Sequence, residues 1–205
     1  MPRRSALLLL LAVRVFGAGS FAAHPIALFF KGDNSAPASV VLAMKNELAR
    51  SVAPAGLDLL WPDNGSRDGI AFPKVVVVTL IGDCRAESTP VSVTSNRFVE
   101  SLGATHIADG RILPFVDIHC DAIRALLYPR DKMTPLPSPQ LMGQSVGRVV
   151  AHELYHVLLR TTGHEPAGLA SQMFRRDDLI CHNLAFGARV ERRLQELASS
   201  WAILE

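Results

Sequence analysis

The sequence predicts an α+β fold in which helices pack on a mixed, twisted sheet. Three observations predict it. The runs "PIALFF" and "KVVVVTLI" are strand-like, apolar residues recur at helical intervals after Pro37 and again from about Leu141, and the elements follow the order strand, helix, strands, long helix, helix. The 205 residues suffice for one domain with a sizeable core. No repeat, low-complexity tract or linker divides the chain, so a single domain is expected over residues 23–205.

The first 22 residues are expected to be a secretory signal rather than structure. "MPRRSALLLLLAV" places Arg3 and Arg4 before an apolar run, and the small residues Ser20 and Ala22 suit cleavage after Ala22. Arg14 interrupts the run well short of the roughly 18 residues of a membrane span. Cleavage one residue later would leave His24 at the N-terminus as a copper-binding group, but the bulky Phe21 would then occupy the −3 position. The formal charge is +2; the leader holds three arginines and no acid, which leaves the remainder near −1. No basic tract survives, so nucleic acid is not an expected partner, and no stable membrane insertion is expected after signal removal.

In the expected mature chain "PIALFF" is the first strand. Val40, Val41, Met44, Leu48 and Val52 then mark an N-terminal amphipathic helix. "GLDLLWP" reads as a short strand closed by the turn-rich "PDNGSRDG". "KVVVVTLI" lacks alternation, which suits a central strand buried on both faces. "LPFVDIHCD" alternates, with Val116, Ile118 and Cys120 on one side and Asp117 and His119 on a wet one. The proline-rich "YPRDKMTPLPSP" is a loop leading to a long central helix from about Leu141 to Thr162, and a charged C-terminal helix follows from about Asn183 to Ala202. Of Cys84, Cys120 and Cys181, the first two each end a strand-like run and are the expected disulfide in an oxidising compartment.

The long helix carries the functional question in "AHELYHVLLRTTGH". At about 100° per residue, Val146, Val150, Leu154, Val157 and Leu158 form a core stripe. His152, Glu153, His156, Arg148 and Arg160 lie opposite, among Val149, Tyr155 and Leu159. An ordinary core helix with a polar outer face is one reading. A metal site is the other, and spacing favours it. His152 and His156 are four apart, so both imidazoles project from one face about one 5.4 Å turn apart, within reach of one zinc ion at roughly 2.0–2.1 Å each. Glu153 sits about 100° round the axis, near enough to touch a metal-bound water as a base but badly placed as a ligand. A catalytic zinc takes a third protein ligand. His164 is the leading candidate, because Gly163 can act as a left-handed helix cap that swings the next residue back.

This segment resembles the zincin metallopeptidases, and a third histidine ligand is similar to their metzincin branch. It resembles most the small exported bacterial zincin-like proteins, in which H-E-x-x-H is followed after seven residues by His and then a Gly-Leu-Met stretch. The matching text here is "HELYHVLLRTTGHEPAGLASQMFRRDDL", and the specific likeness spans about Gly147 to Leu179. The resemblance implies a zincin-like fold around an active-site helix, a zinc cofactor held by His152, His156 and His164, and a peptide or protein substrate. It also implies a methionine beneath the metal, yet Ala170 follows Gly168-Leu169, with Met173 offset from the place. Leu159 stands where the metzincin pattern has glycine, and the gap to the third histidine is longer.

The expected function is a secreted zinc-dependent peptidase, an endopeptidase rather than an exopeptidase, in which zinc and Glu153 activate the attacking water. The alternative is an exported zinc-binding or interaction protein with no turnover. Glu165, Asp177, Asp178 and His182 are spare third ligands, although the two aspartates suit the start of a helical region. His119 and Asp117 are expected to face solvent rather than a cleft, Tyr155 to pack rather than meet an oxyanion, and Glu191 and Glu196 to lie on a solvated face. The stretch Val116 to Cys120 is the expected cleft edge for an extended substrate.

Overall fold

A computed structural model of the chain describes residues 24–31, 36–62, 72, 74–86, 101–128 and 137–201. The expected leader lies outside them, as do most of "PDNGSRDG" and most of the proline-rich loop.

One sheet is built from β1 (His24–Lys31), β2 (Leu57–Leu60), β3 (Lys74–Ile81), β4 (Gly103–Ala108) and β5 (Arg111–His119), in the order β2-β1-β3-β5-β4. Four strands run parallel, and β4 alone is antiparallel, on the edge beside β5. The helices are α1 (Ala38–Val52), α2 (Cys120–Leu127), α3 (Pro139–Leu159), α4 (Arg176–Ile180) and α5 (Ala188–Trp201). The architecture is therefore α+β with a mixed sheet, as expected.

The core lies between the sheet and the pair α1 and α3. Ile26, Leu28, Val76, Val78, Val116 and Ile118 point from the strands into Val40, Met44, Leu48, Met142, Val146 and Val150, all buried. Gly143 and Gly147, one turn apart, let α1 lie directly on α3; a Cβ on Gly147 would stand 2.7 Å from the Met44 carbonyl oxygen. The same contact carries a buried ion pair. Arg148 Nε donates to Glu47 Oε1 at 2.6 Å, and its Nη1 donates to the carbonyls of Asp178 (3.0 Å) and Leu179 (2.9 Å). Burial pushes the Glu47 carboxyl up, but hydrogen bonds and charges from Arg50 and Arg148 more than offset this and hold it below its ordinary 4.5.

Two burial expectations are corrected. β3 is central but not covered on both faces. Val76 and Val78 are buried while Val75 and Ile81 are exposed, because among the described residues α1 and α3 cover one face only. An unbroken apolar run does not distinguish these cases. Conversely, α3 has no exposed residue from Ser145 to His156. Arg148, Val149, His152, Glu153, Tyr155 and His156 are all buried, because the chain beyond the helix folds back over that face.

Strand β5 behaves as its alternation predicts, with Val116 and Ile118 buried and Asp117 on the far face, its Oδ2 2.8 Å from His106 Nε2. Cys84 and Cys120 form the disulfide, with Cα atoms 4.9 Å apart, and Cys181 is free and exposed. Strand β4 and helix α2 were not foreseen. The last helix starts at Ala188 rather than near Asn183, since the Leu184 and Ala185 carbonyls serve Arg50 and the Leu169 N–H instead of a helical ladder. Among the described residues, no helix is long and apolar enough to cross a membrane.

Candidate metal centre

Helix α3 delivers two of the three expected ligands side by side. The Nε2 atoms of His152 and His156 are 3.0 Å apart. Each ring is fixed through its other nitrogen by a backbone carbonyl: His152 Nδ1 by Leu169 O at 2.8 Å, His156 Nδ1 by Thr161 O at 2.6 Å. A carbonyl oxygen only accepts, so each Nδ1 carries the hydrogen and each Nε2 is left with a bare lone pair. Burial lowers the His152 pKa to about 4, against the Leu169 hydrogen bond that raises it, and burial lowers His156 as well. Both rings are thus neutral near pH 7.

Two bare lone pairs at 3.0 Å repel each other. A cation between them removes the conflict, and the spacing is close to the roughly 3.3 Å between ligand nitrogens around a tetrahedral zinc.

The third histidine arrives by a different route from the one expected. α3 ends at Leu159, and the left-handed cap is Arg160 (φ 47, ψ 48), not Gly163. The helix stops three residues early because the chain turns where the Thr161 carbonyl can reach His156. Tyr155 Oη then donates to the Gly163 carbonyl at 2.9 Å, and the Gly163 N–H donates to Thr161 Oγ1 at 3.1 Å. This places the His164 ring 4.8 Å from that of His156 and 5.3 Å from that of His152. One donor atom from each of the three residues lies within 4.8 Å of the others. His152 and His156 are buried and His164 is exposed, so the open side of the trio faces solvent. Three imidazoles, two of them backed by carbonyls, make a donor set that fits a divalent transition metal.

No family model and no curated protein matches this chain.

Glu153 is buried beside the trio without belonging to it. Thr105 Oγ1, on the edge strand, donates to Glu153 Oε2 at 2.7 Å and contacts the Glu153 carbonyl at 3.3 Å. Burial raises the carboxyl pKa to about 7, with the Thr105 hydrogen bond working in the opposite direction. Gly103 permits the approach: a Cβ there would lie 2.9 Å from both Glu153 Oε1 and Val149 Cγ1. A carboxyl half-protonated near neutrality beside the neutral imidazoles of His152 and His156 is equipped to accept and return a proton.

These groups open into a cleft of about 730 Å³, bounded by β4, α2, α3 and residues 171–174. Its edge is β4 rather than the expected stretch Val116 to Cys120, because β5 is flanked by β3 and β4 and has no free side. His119 and Asp117 do not line the cleft. Among the described residues, no methionine lines the cleft beneath the three histidines; Met173 alone of the methionines borders it. Ala170 is fully buried, Phe174 packs edge-on against His152 at 5.4 Å, and Met173 is 74% exposed at the cleft margin.

The spare ligands stay apart from the trio. Glu165 bridges to Ser171 and lies 3.8 Å from Arg189. Asp177 and Asp178 occupy the first turn of α4, where Asp178 accepts from the Arg175 N–H at 2.7 Å. His182 is exposed, as is Glu196, and Glu191 is half-exposed. Sequence reasoning missed Thr105, which lies on an unforeseen strand, and the Leu169 and Thr161 carbonyls, which leave no mark in side-chain identity.

Proposed function

We propose that the protein is an exported zinc-dependent peptidase with a zincin-like site. The observation that carries this reading is the paired arrangement of three convergent imidazoles and one buried, raised-pKa carboxyl that is held out of the ligand set. His152, His156 and His164 would hold the zinc. Zinc in this position supplies Lewis-acid chemistry, polarising a carbonyl and acidifying a water.

The chain's own residues supply the rest. Glu153 takes a proton from the attacking water and passes it to the departing amine. Thr105 aims that carboxylate from the strand along which a substrate backbone would pair. Tyr155 fixes the segment that brings in His164, and the Leu169 and Thr161 carbonyls set which nitrogen of each ring is free. The Cys84–Cys120 disulfide is consistent with an oxidising compartment.

The test is a single preparation. Purified protein should contain about one zinc per chain and cleave casein. Chelator should stop cleavage, and Glu153→Gln should abolish it with zinc retained. Zinc content without cleavage of casein or of a broad peptide pool would instead identify a binding protein.

A further inference from the structure

The sheet has a second face, turned away from α1 and α3, and among the described residues no helix covers it. Alternation along the strands sends Phe29 on β1, Val77 on β3 and Phe115 on β5 to that face. The register sets them in one row, Phe29 beside Val77 beside Phe115. The next row is polar, with Lys31, Thr79 and Asp117 aligned in the same way. Phe115 is exposed, as are Val75 and Ile81 on the same face. Phe72 stands edge-on against Phe29, with ring centroids 6.0 Å apart. Lys31 is exposed at one end of the polar row and, among the described residues, has no acidic partner. At the other end Asp117 Oδ2 lies 2.8 Å from His106 Nε2. An apolar band thus runs beside a row with a cation at one end and a carboxylate at the other.

We propose that this face joins two copies of the chain in a two-fold, face-to-face dimer. The peptidase reading plays no part in the argument. Charge complementarity commits the face to a second copy. A two-fold axis running along β3, in the plane between the sheets, lays the partner's β5 over β1 and keeps the rows level. Lys31 then meets the partner's Asp117, and Asp117 meets the partner's Lys31. Phe29 and Phe115 meet across the axis in the same reciprocal way. Stacked sheets that cross at the usual angle of about 30° keep this pairing. The five strands, at about 3.3 Å per residue and 4.8 Å apart, offer roughly 550 Å² of face. The total for two copies, about 1,100 Å², just clears the roughly 1,000 Å² expected of a specific interface. A reversible dimer that dissociates in the micromolar range is therefore expected. His152 and His156 sit on α3, on the other side of the sheet, so the metal site of each copy stays open.

The experiment is sedimentation velocity of the purified chain from about 1 to 200 µM, the range in which an interface of this size dissociates. Wild type should pass from monomer to dimer. Lys31→Glu places like charges at both reciprocal contacts, and so does Asp117→Lys. Each should weaken self-association by about tenfold or more. An equimolar mixture of the two variants restores both contacts in the mixed dimer and should associate as wild type does. Recovery on mixing reports a contact between chains, which a change inside one chain does not produce. Phe115→Lys, at an exposed position of the apolar row, should also dissociate the dimer, with circular dichroism unchanged. A wild type that stays monomeric throughout overturns the proposal and leaves the face to another occupant. A dimer unaffected by Phe115→Lys, or two weakened charge variants that fail to recover on mixing, overturns it as well.

Discussion

The phenol of Tyr155 donates a 2.9 Å hydrogen bond to the carbonyl of Gly163, so α3 holds with its own side chain the residue that precedes the third histidine. His152 and His156 are placed one turn apart by the helix and fixed by the Leu169 and Thr161 carbonyls, whereas His164 depends on this tether across eight residues. Tyr155→Phe keeps the ring and its packing against His156 and Phe186 but releases the tether. Zinc affinity is expected to fall by about 10- to 100-fold with the fold intact. Competition with a chromophoric chelator, with circular dichroism as control, measures it. His164→Ala should cost more still.

Glu153 makes the metal-free protein less stable as the solution becomes less acidic. Its carboxyl has a pKa of about 7 in the fold against an ordinary 4.5. Between those values the folded chain binds more protons than the unfolded one, so stability falls as pH rises through the window. The cost above pH 7 is about 3 kcal/mol. In chelator, Glu153→Gln should be more stable than wild type by up to that amount at pH 8, with the gain gone at pH 4.5. Urea melts at both pH values check it, and the shift at His152 is common to the two proteins.

Glu47 acts with the opposite sign. Its pKa is held below 4.5, so its contribution is present above that value and is lost as pH falls through the lowered one. Glu47→Gln leaves Arg148 buried beside a neutral amide, and a loss of about 3–5 kcal/mol is expected at pH 7. The difference from wild type should shrink on acidification, as denaturant melts from pH 7 downward would show.

Arg160 holds the left-handed cap of α3 with a side chain that carries a Cβ. Arg160→Gly removes that steric cost and is expected to raise stability by about 1 kcal/mol, with zinc binding unchanged. A thermal melt and a metal assay together settle it.

The site was legible where its chemistry is periodic. The His152 and His156 spacing and the offset of Glu153 follow from helix geometry, and the structure brings His164 to them as expected. The turn that does so was misplaced because Gly163 is the better left-handed residue on intrinsic grounds, while tertiary contacts at Thr161 and Tyr155 reward a turn at Arg160. In the fold, "PIALFF", the first helix and the wet-faced β5 announced themselves by spacing. Strand β4 did not: "GATHIA" is short, polar in its middle and interrupted by a register shift between Thr105 and Ile107. Helix α2 follows β5 without a break, and Cys120 served equally well as the tail of a strand. The burial of Arg148 depends on Glu47, 101 residues away, and no local pattern encodes such a pairing.

Strand β4 leaves one row of amides and carbonyls unmatched within the described sheet, and such rims ordinarily invite other sheets to stack on and aggregate. Here the first half of that rim, from Gly103 to Thr105, is sunk between α3 and the loop carrying Phe174. A single extended chain could still pair with that recessed rim, whereas α3 stands in the way of a second sheet.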